Sequence, residues 1–283
     1  MSQVISFILG DSPGARYARA AIVILILFYA VLFEPFNLQV TENTFDLFEE
    51  EGETVKVVFI SDLHFTYKHP QHFQRIVQTV NAQDADLVLI GGDNADGLNG
   101  AWEKLAPLQD LESRYGVYAV LGNHDHLPGN CMGDSRVMCS YTMERQLEAM
   151  GIEVLRNEHR MMEIKGREFT LIGVDDLWSG ASDYQKASEG VPGGMPKVIL
   201  AHNQLSVPEG LGGRNLGLSG HTHCGQVRIP FITDFLIGAV GHWGVTGGRA
   251  TIDENTELYV TCGANPGLVR VFAPPEVSVI YLE

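Results

Sequence analysis

Eight short β-branched and aliphatic runs mark this chain, and several of them stop at a small polar cluster. Val55–Ser61 stops at Asp62, Asp86–Ile90 at Gly91-Gly92-Asp93, and Gly116–Leu121 at Gly122-Asn123-His124. Val198–His202 ends on a histidine, and Leu216–Ser219 is followed by Gly220-His221-Thr222-His223. Short runs that are almost continuously apolar are strands buried on both faces, so such a chain must stack its sheets between other layers. Gln71–Asn81, Trp102–Leu111 and Tyr141–Met150 carry helical spacing and alternate with the early strands. The later strands, Phe169–Val174, Val198–His202, Leu216–Ser219, Leu258–Thr261 and Val277–Leu282, follow with fewer helices between them. The expectation is an α/β (α+β) fold of two facing mixed sheets with outer helices. At 283 residues and 45% apolar content the core is ample, and no boundary is evident within 55–283.

The polar clusters carry the chemistry: Asp62 and His64 in SDLH, Asp93 in GGDN, Asn123 and His124 in GNHD, His202 in LAHN, His221 and His223 in GHTH. Taken singly, each reads as a turn or a cap. Together, at five strand ends, they point to one site. If the Asp-x-His and His-x-His pairs continue their strands, the period of two aims each pair at one face. Seven nitrogen and oxygen ligands without a thiolate suit divalent manganese, iron or zinc. The formal charge of −16, from 19 basic and 35 acidic residues, would repel a phosphate backbone and excludes nucleic acid as a partner.

These five blocks, in this order across residues 55–283, resemble the calcineurin-like metallophosphoesterases. The resemblance implies a four-layer sandwich, two mixed sheets flanked by helices. It also implies a first metal held by Asp62, His64 and His223, a second by Asn123, His202 and His221, and Asp93 bridging both. His124 matches the histidine that contacts phosphate and leaving group, with Asp96 as the carboxylate that orients it and Asp125 as the other candidate. Two such ions lower the pKa of water and neutralise phosphoryl charge, the requirements of a dinuclear phosphohydrolase. GHTHCGQVRIPF and YVTCGANPGLVRVFAPPEVSVIYL resemble a membrane-associated bacterial branch. Its members include phosphodiesterases and a pyrophosphohydrolase of UDP-2,3-diacylglucosamine in lipid A biosynthesis, which implies a lipid-linked phosphodiester or pyrophosphate as substrate. A soluble small phosphodiester, or a scaffold that has lost its metals, are the alternatives. The family's protein phosphatases carry Asp-Arg-Gly after the bridging aspartate, and Asp96-Gly97 lacks that arginine. Cys224 stands where the branch has glycine, so a thiol beside the ligands would narrow the pocket or make it oxidant-sensitive. Arg228 and Arg270 are candidates for gripping phosphate oxygens, with surface or salt-bridge roles as the alternative.

Ahead of this domain, Ala20–Phe33 runs without a charge behind Arg16 and Arg19. A helix over that stretch is roughly 21 Å long, short of the roughly 30 Å hydrocarbon core. Residues 1–40 are read as an uncleaved membrane anchor working through residues 20–33, and the acidic stretch 41–54 as a linker. A core helix is the alternative. The apolar segment Ile229–Val245, with Phe231, Phe235, Leu236 and Trp243, reads as a lipid-facing lip or a core excursion. Cys131 and Cys139 flank one loop, either as a disulfide or as two free thiols.

Overall fold

The computed structural model describes residues 12–65, 70–96, 102–128, 135–229, 232–233 and 245–283. One sheet has the order β1 (Gln39–Phe45), β12 (Glu276–Leu282), β2 (Val55–Ile60), β3 (Leu87–Ile90), β4 (Val117–Ala119), β5 (Glu153–Val154). The second runs β10 (Gly248–Asp253), β11 (Thr256–Val260), β9 (Asn215–Ser219), β8 (Lys197–Ala201), β7 (Arg167–Val174), β6 (Glu158–Ile164). Both are mixed: β12 is antiparallel to β2, β10 to β11 and β6 to β7, while the remaining pairs are parallel.

Side-chain alternation sorts each strand between two layers. Val55, Val57 and Phe59 of β2 meet Phe169, Leu171, Val198, Leu200, Leu216 and Leu218 of the opposite sheet in one cluster. Val58 and Ile60 face outward onto Phe73, Ile76 and Val80 of α2 (Pro70–Asn81) and Met143 and Leu147 of α3 (Arg136–Ala149). Ile172, Val174, Ile199 and Ala201 close the other outer face with Val207 and Ala187, the latter in the short helix α4 (Tyr184–Ala187). The result is the four-layer sandwich that the strand pattern predicts.

Three expectations need revision. Residues 41–45, read as linker, and residues 39–40, read with the anchor, form β1, paired in parallel with β12, because Gln39, Thr41 and Asn43 alternate with exposed residues as an edge strand allows. Trp102–Asp110 is a 3₁₀ helix with Pro107 inside, since proline removes the donor a regular turn needs. The apolar helix is longer than the uncharged core of its sequence. α1 (Pro13–Phe28), capped by the Ser12 side chain, continues through Tyr29–Phe33 and Glu34–Phe36. The helical run of 24 residues is roughly 36 Å long, enough by length and composition to cross a membrane. Ile22 to Phe28 are all exposed.

The base of that run is tied to the domain. Arg270 N donates to the Ala30 carbonyl at 2.9 Å, and Ala273 N donates to the buried Glu34 carboxylate at 2.7 Å.

Candidate metal centre

The loops after β2, β3, β4, β8 and β9 meet at one edge of the sandwich and bind one another through backbone. Asp62 N donates to the Gly92 carbonyl at 3.0 Å and His64 N to the Asp93 carbonyl at 2.9 Å. Asp62, His64, Asp93, His221 and His223 all adopt positive φ, between 42° and 70°. Non-glycine residues seldom do so, and they cluster at functional sites where the surroundings hold them. This corrects the period-two reading: neither pair lies on a strand, and the backbone sends the two histidines of GHTH to different groups. Asp62, His64 and His223 form one cluster, and Asp93, His202 and His221 another, with ligand atoms within 4.8 Å of one another in each. Two glycines permit this closeness. A Cβ at Gly122 would collide with the Asp93 carboxylate, and one at Gly220 with Asp62 and Ser61.

Asp93 lies between the clusters. Its Oδ2 is 3.2 Å from His202 Nε2 and 3.6 Å from His64 Nε2, while Oδ1 accepts from His124 N at 2.8 Å. His223 Nε2 stands 3.3 Å from Asp62 Oδ1 and 3.3 Å from His64 Nε2. His202 Nδ1 donates to the Gly91 carbonyl at 2.8 Å, so a neutral ring aims its Nε2 lone pair at a carboxylate oxygen. A cation between the two, a proton or a metal, makes that arrangement favourable, and His221 Nδ1 lies 3.1 Å from the same Nε2. Asn123 Oδ1 is likewise buried without a hydrogen-bond partner among the described residues. The donor set and these facing acceptors fit divalent metal.

The protonation tendencies agree. Burial holds His64 below its usual value and brings His221 and His223 down to about 4, leaving neutral donors at pH 7. Burial also disfavours charge on His202, but Asp93 outweighs it and pushes His202 up to about 10, a proton doing there what a metal would do. Burial alone would raise Asp62 and Asp93. The facing histidines prevail, His223 first for Asp62 and His202 first for Asp93, and both carboxyls lie below the usual range.

His124 Nδ1 lies 3.4 Å from Asp96 Oδ1, and that contact raises the His124 pKa above its ordinary value against the opposing effect of burial. His64 completes this third group. Asp125 is engaged elsewhere. Its buried carboxylate accepts from Asn94 N, Asn94 Nδ2, Ala95 N and Gly122 N at 2.9 to 3.2 Å. Burial and the Asp93 charge push Asp125 up to about 7, whereas those N–H groups favour the carboxylate.

Arg270 acts on His223 and Asp62 through its charge but is not open to a ligand. Its guanidinium is fully buried and donates to the carbonyls of Pro266, Cys262, Ala273 and Asn265, so it shapes the loop rather than meeting phosphate. Arg270→Met should therefore cost about 3 kcal/mol of stability by stranding buried carbonyls, measured by denaturant unfolding. An unchanged midpoint would refute that role. Arg228 is half-buried, with its backbone N–H on the Val271 carbonyl.

Cys224 is no free thiol: it is buried and disulfide-bonded to Cys262, Cα atoms 4.6 Å apart. Its φ of +55° explains why glycine would fit the same position. Cys139 is also disulfide-bonded, and Cys131, the partner the sequence offers, lies outside the described residues. So do Phe231, Phe235, Leu236 and Trp243.

Residues 55–225 match the family described as calcineurin-like phosphoesterase. The chain belongs to that family. Among relatives of this phosphoesterase, the Escherichia coli protein named phosphodiesterase YaeI is 28% identical over 88% of this chain and 90% of its own length. The Bacillus subtilis metallophosphoesterase YkuE is 27% identical over 90% of this chain and 89% of its own length. A zebrafish (Danio rerio) transmembrane protein with a metallophosphoesterase domain is 32% identical over 81% of this chain, which spans 53% of that longer relative. A solved structure of phosphopantetheinyl hydrolase from Mycobacterium tuberculosis superposes with a TM-score of 0.46 at 13% identity, covering 74% of this chain and 89% of that one. The phosphoesterase is thus a hydrolase of phosphoester bonds that uses divalent metal.

Proposed function

We propose that this phosphoesterase is a dinuclear hydrolase anchored in a membrane and acting on a lipid-linked phosphodiester or pyrophosphate, of which UDP-2,3-diacylglucosamine is one candidate. Asp62, His64 and His223 would hold one ion, Asn123, His202 and His221 the other, with Asp93 shared. Bound manganese, iron or zinc supplies Lewis acidity, lowering the pKa of water and neutralising phosphoryl charge. The remaining work falls to the chain. His124 donates a proton toward the leaving oxygen, and Asp96 holds its ring in one orientation.

The observation that carries the lipid reading is a ring of exposed apolar residues around the helix base. Val227, Ile229, Ile232, Leu268 and Phe272 are all exposed, Leu268 by 76% and Phe272 by 66%. Val227 bridges to Val271, and the neighbouring Arg270 and Ala273 hold Ala30 and Glu34 of the helical run. Phe272 presents its ring to solvent, apolar area that a lipid surface would cover. The same loop reaches the metal centre, since Asn265 Nδ2 donates to the Leu63 and His64 carbonyls.

Leu268→Ser with Phe272→Ser should lower hydrolysis of a vesicle-borne lipid pyrophosphate at least about tenfold, from the lost burial of two side chains. Hydrolysis of bis(p-nitrophenyl) phosphate should stay unchanged. Equal loss on both substrates, or full activity of the wild-type protein on soluble diesters alone, would favour the soluble-substrate reading instead.

Asp96→Asn tests the proton donor. With its pKa raised, His124 stays protonated to higher pH than an ordinary histidine, so its donor role is present below that pKa and lost above it. Asp96→Asn should move the basic limb of the pH–rate profile to lower pH and reduce kcat about ten- to a hundredfold for alkyl leaving groups. p-Nitrophenolate, which leaves without a proton, should be spared. An unmoved limb would reject the pairing.

A further inference from the structure

Trp178 stands at the rim of the metal centre and has no part in the chemistry above. It is 56% exposed, yet its indole ring stands perpendicular to the His221 imidazole, with centroids 4.2 Å apart and planes at 86°. The turn beneath it is rigidly held. Buried Asp176 accepts from Ser179 N at its carboxylate, and from Ala181 N and Ser182 N at its carbonyl. Asn157 Oδ1 accepts from Asp175 N and Asp183 N at 3.0 Å each. Asp175 is gripped in turn by His126 at 3.0 Å and by Arg156 at 2.9 Å, and Arg156 also binds Glu144. The indole is therefore set in position before any ligand arrives, which spares the entropy of ordering it on binding.

The flanking side chains settle what such a ring would hold. Asp176 is buried, Ser179 and Ser182 are polar and Gly180 has no side chain, so beside the indole only the half-buried Leu177 and Ala181 offer apolar atoms to an acyl chain. The apolar surface belongs to the loops after His223. A planar π-system needs only one open aromatic face and tolerates polar neighbours.

We propose that Trp178 is a stacking platform for a planar ring carried by the phosphoester, a nucleobase or an aryl group, beside the cluster of Asp93, His202 and His221. This rests on the metal centre being the phosphoesterase site and is independent of the membrane reading. The test is calorimetric binding of uridine monophosphate, phenyl phosphate and ribose 5-phosphate to the full-length, manganese-loaded protein. Wild-type protein should prefer the ring-bearing phosphates to ribose 5-phosphate. Trp178→Ala should weaken uridine monophosphate about tenfold, Trp178→Phe should retain most of the affinity, and ribose 5-phosphate should bind equally to all three. Weakening confined to phenyl phosphate would assign the platform to aryl groups. Equal weakening of ribose 5-phosphate, or a lower manganese content in Trp178→Ala, would show that the ring merely supports His221 and overturn the proposal. Absence of any preference for ring-bearing phosphates in the wild-type protein would overturn it as well.

Discussion

Asp93→Asn should abolish hydrolysis of every phosphoester the protein accepts, by more than about a thousandfold, and lower the bound metal at the same time. Its carboxylate faces His202 on one side and His64 on the other, and its second oxygen accepts the His124 backbone N–H. A carboxamide keeps the size but places a neutral group between the clusters, removing the charge that two cations would share. The fold should survive, because the amide oxygen can still accept the His124 N–H, although the pairing with His202 and His64 that holds the Asp93 carboxyl below its usual range is lost. Metal analysis after dialysis, together with turnover, separates the outcomes. Full metal content with full activity would remove Asp93 from the centre.

Cys224→Ala with Cys262→Ala should lower stability by about 4 kcal/mol, the chain-entropy value for the 38-residue separation that the bond spans. For a domain of this size that corresponds to roughly 10 °C in Tm, read by thermal unfolding without reductant. Dithiothreitol should lower the wild-type Tm by more than the variant's, in which only the Cys139 disulfide is left to reduce. The site should also loosen, since Cys224 directly follows His223, and Gly263, directly after Cys262, packs against the Asp62 side chain. A variant with unchanged Tm would show that the staple adds nothing to the close fit of these loops.

The layers and the polar strand ends were legible in the sequence because both depend on local composition. Strands such as Leu87–Ile90, buried throughout, must be apolar, and residues past their ends must be polar. Pairing is not local. Leu216–Ser219 and Leu258–Thr261 could both be read as strands, but not that β11 lies parallel to β9 with Val260 opposite Ser219. That register brings Cys224 and Cys262 together, so the disulfide was hidden although both cysteines were visible. The edge strand β1 was missed for a different reason. Its alternating, acid-containing sequence suits an exposed edge as well as a linker, and only its partner decides. Trp178 gave no periodic or motif signal, since its importance lies in a ring contact made across the fold. Arg270 misled because arginine is as apt for carbonyl clusters inside a loop as for phosphate.

The position of β12 also sets when this protein can finish folding. β12 follows the other eleven named strands in the chain yet lies between β1 and β2, with Val277 opposite Val40 on one side and Ile280 opposite Val57 on the other. A nascent chain therefore keeps an open seam in its first sheet until residue 282 has been made. Through that interval β1 and β2 expose unpaired edges that could recruit other chains. Synthesis truncated before residue 276 would leave the seam permanently open.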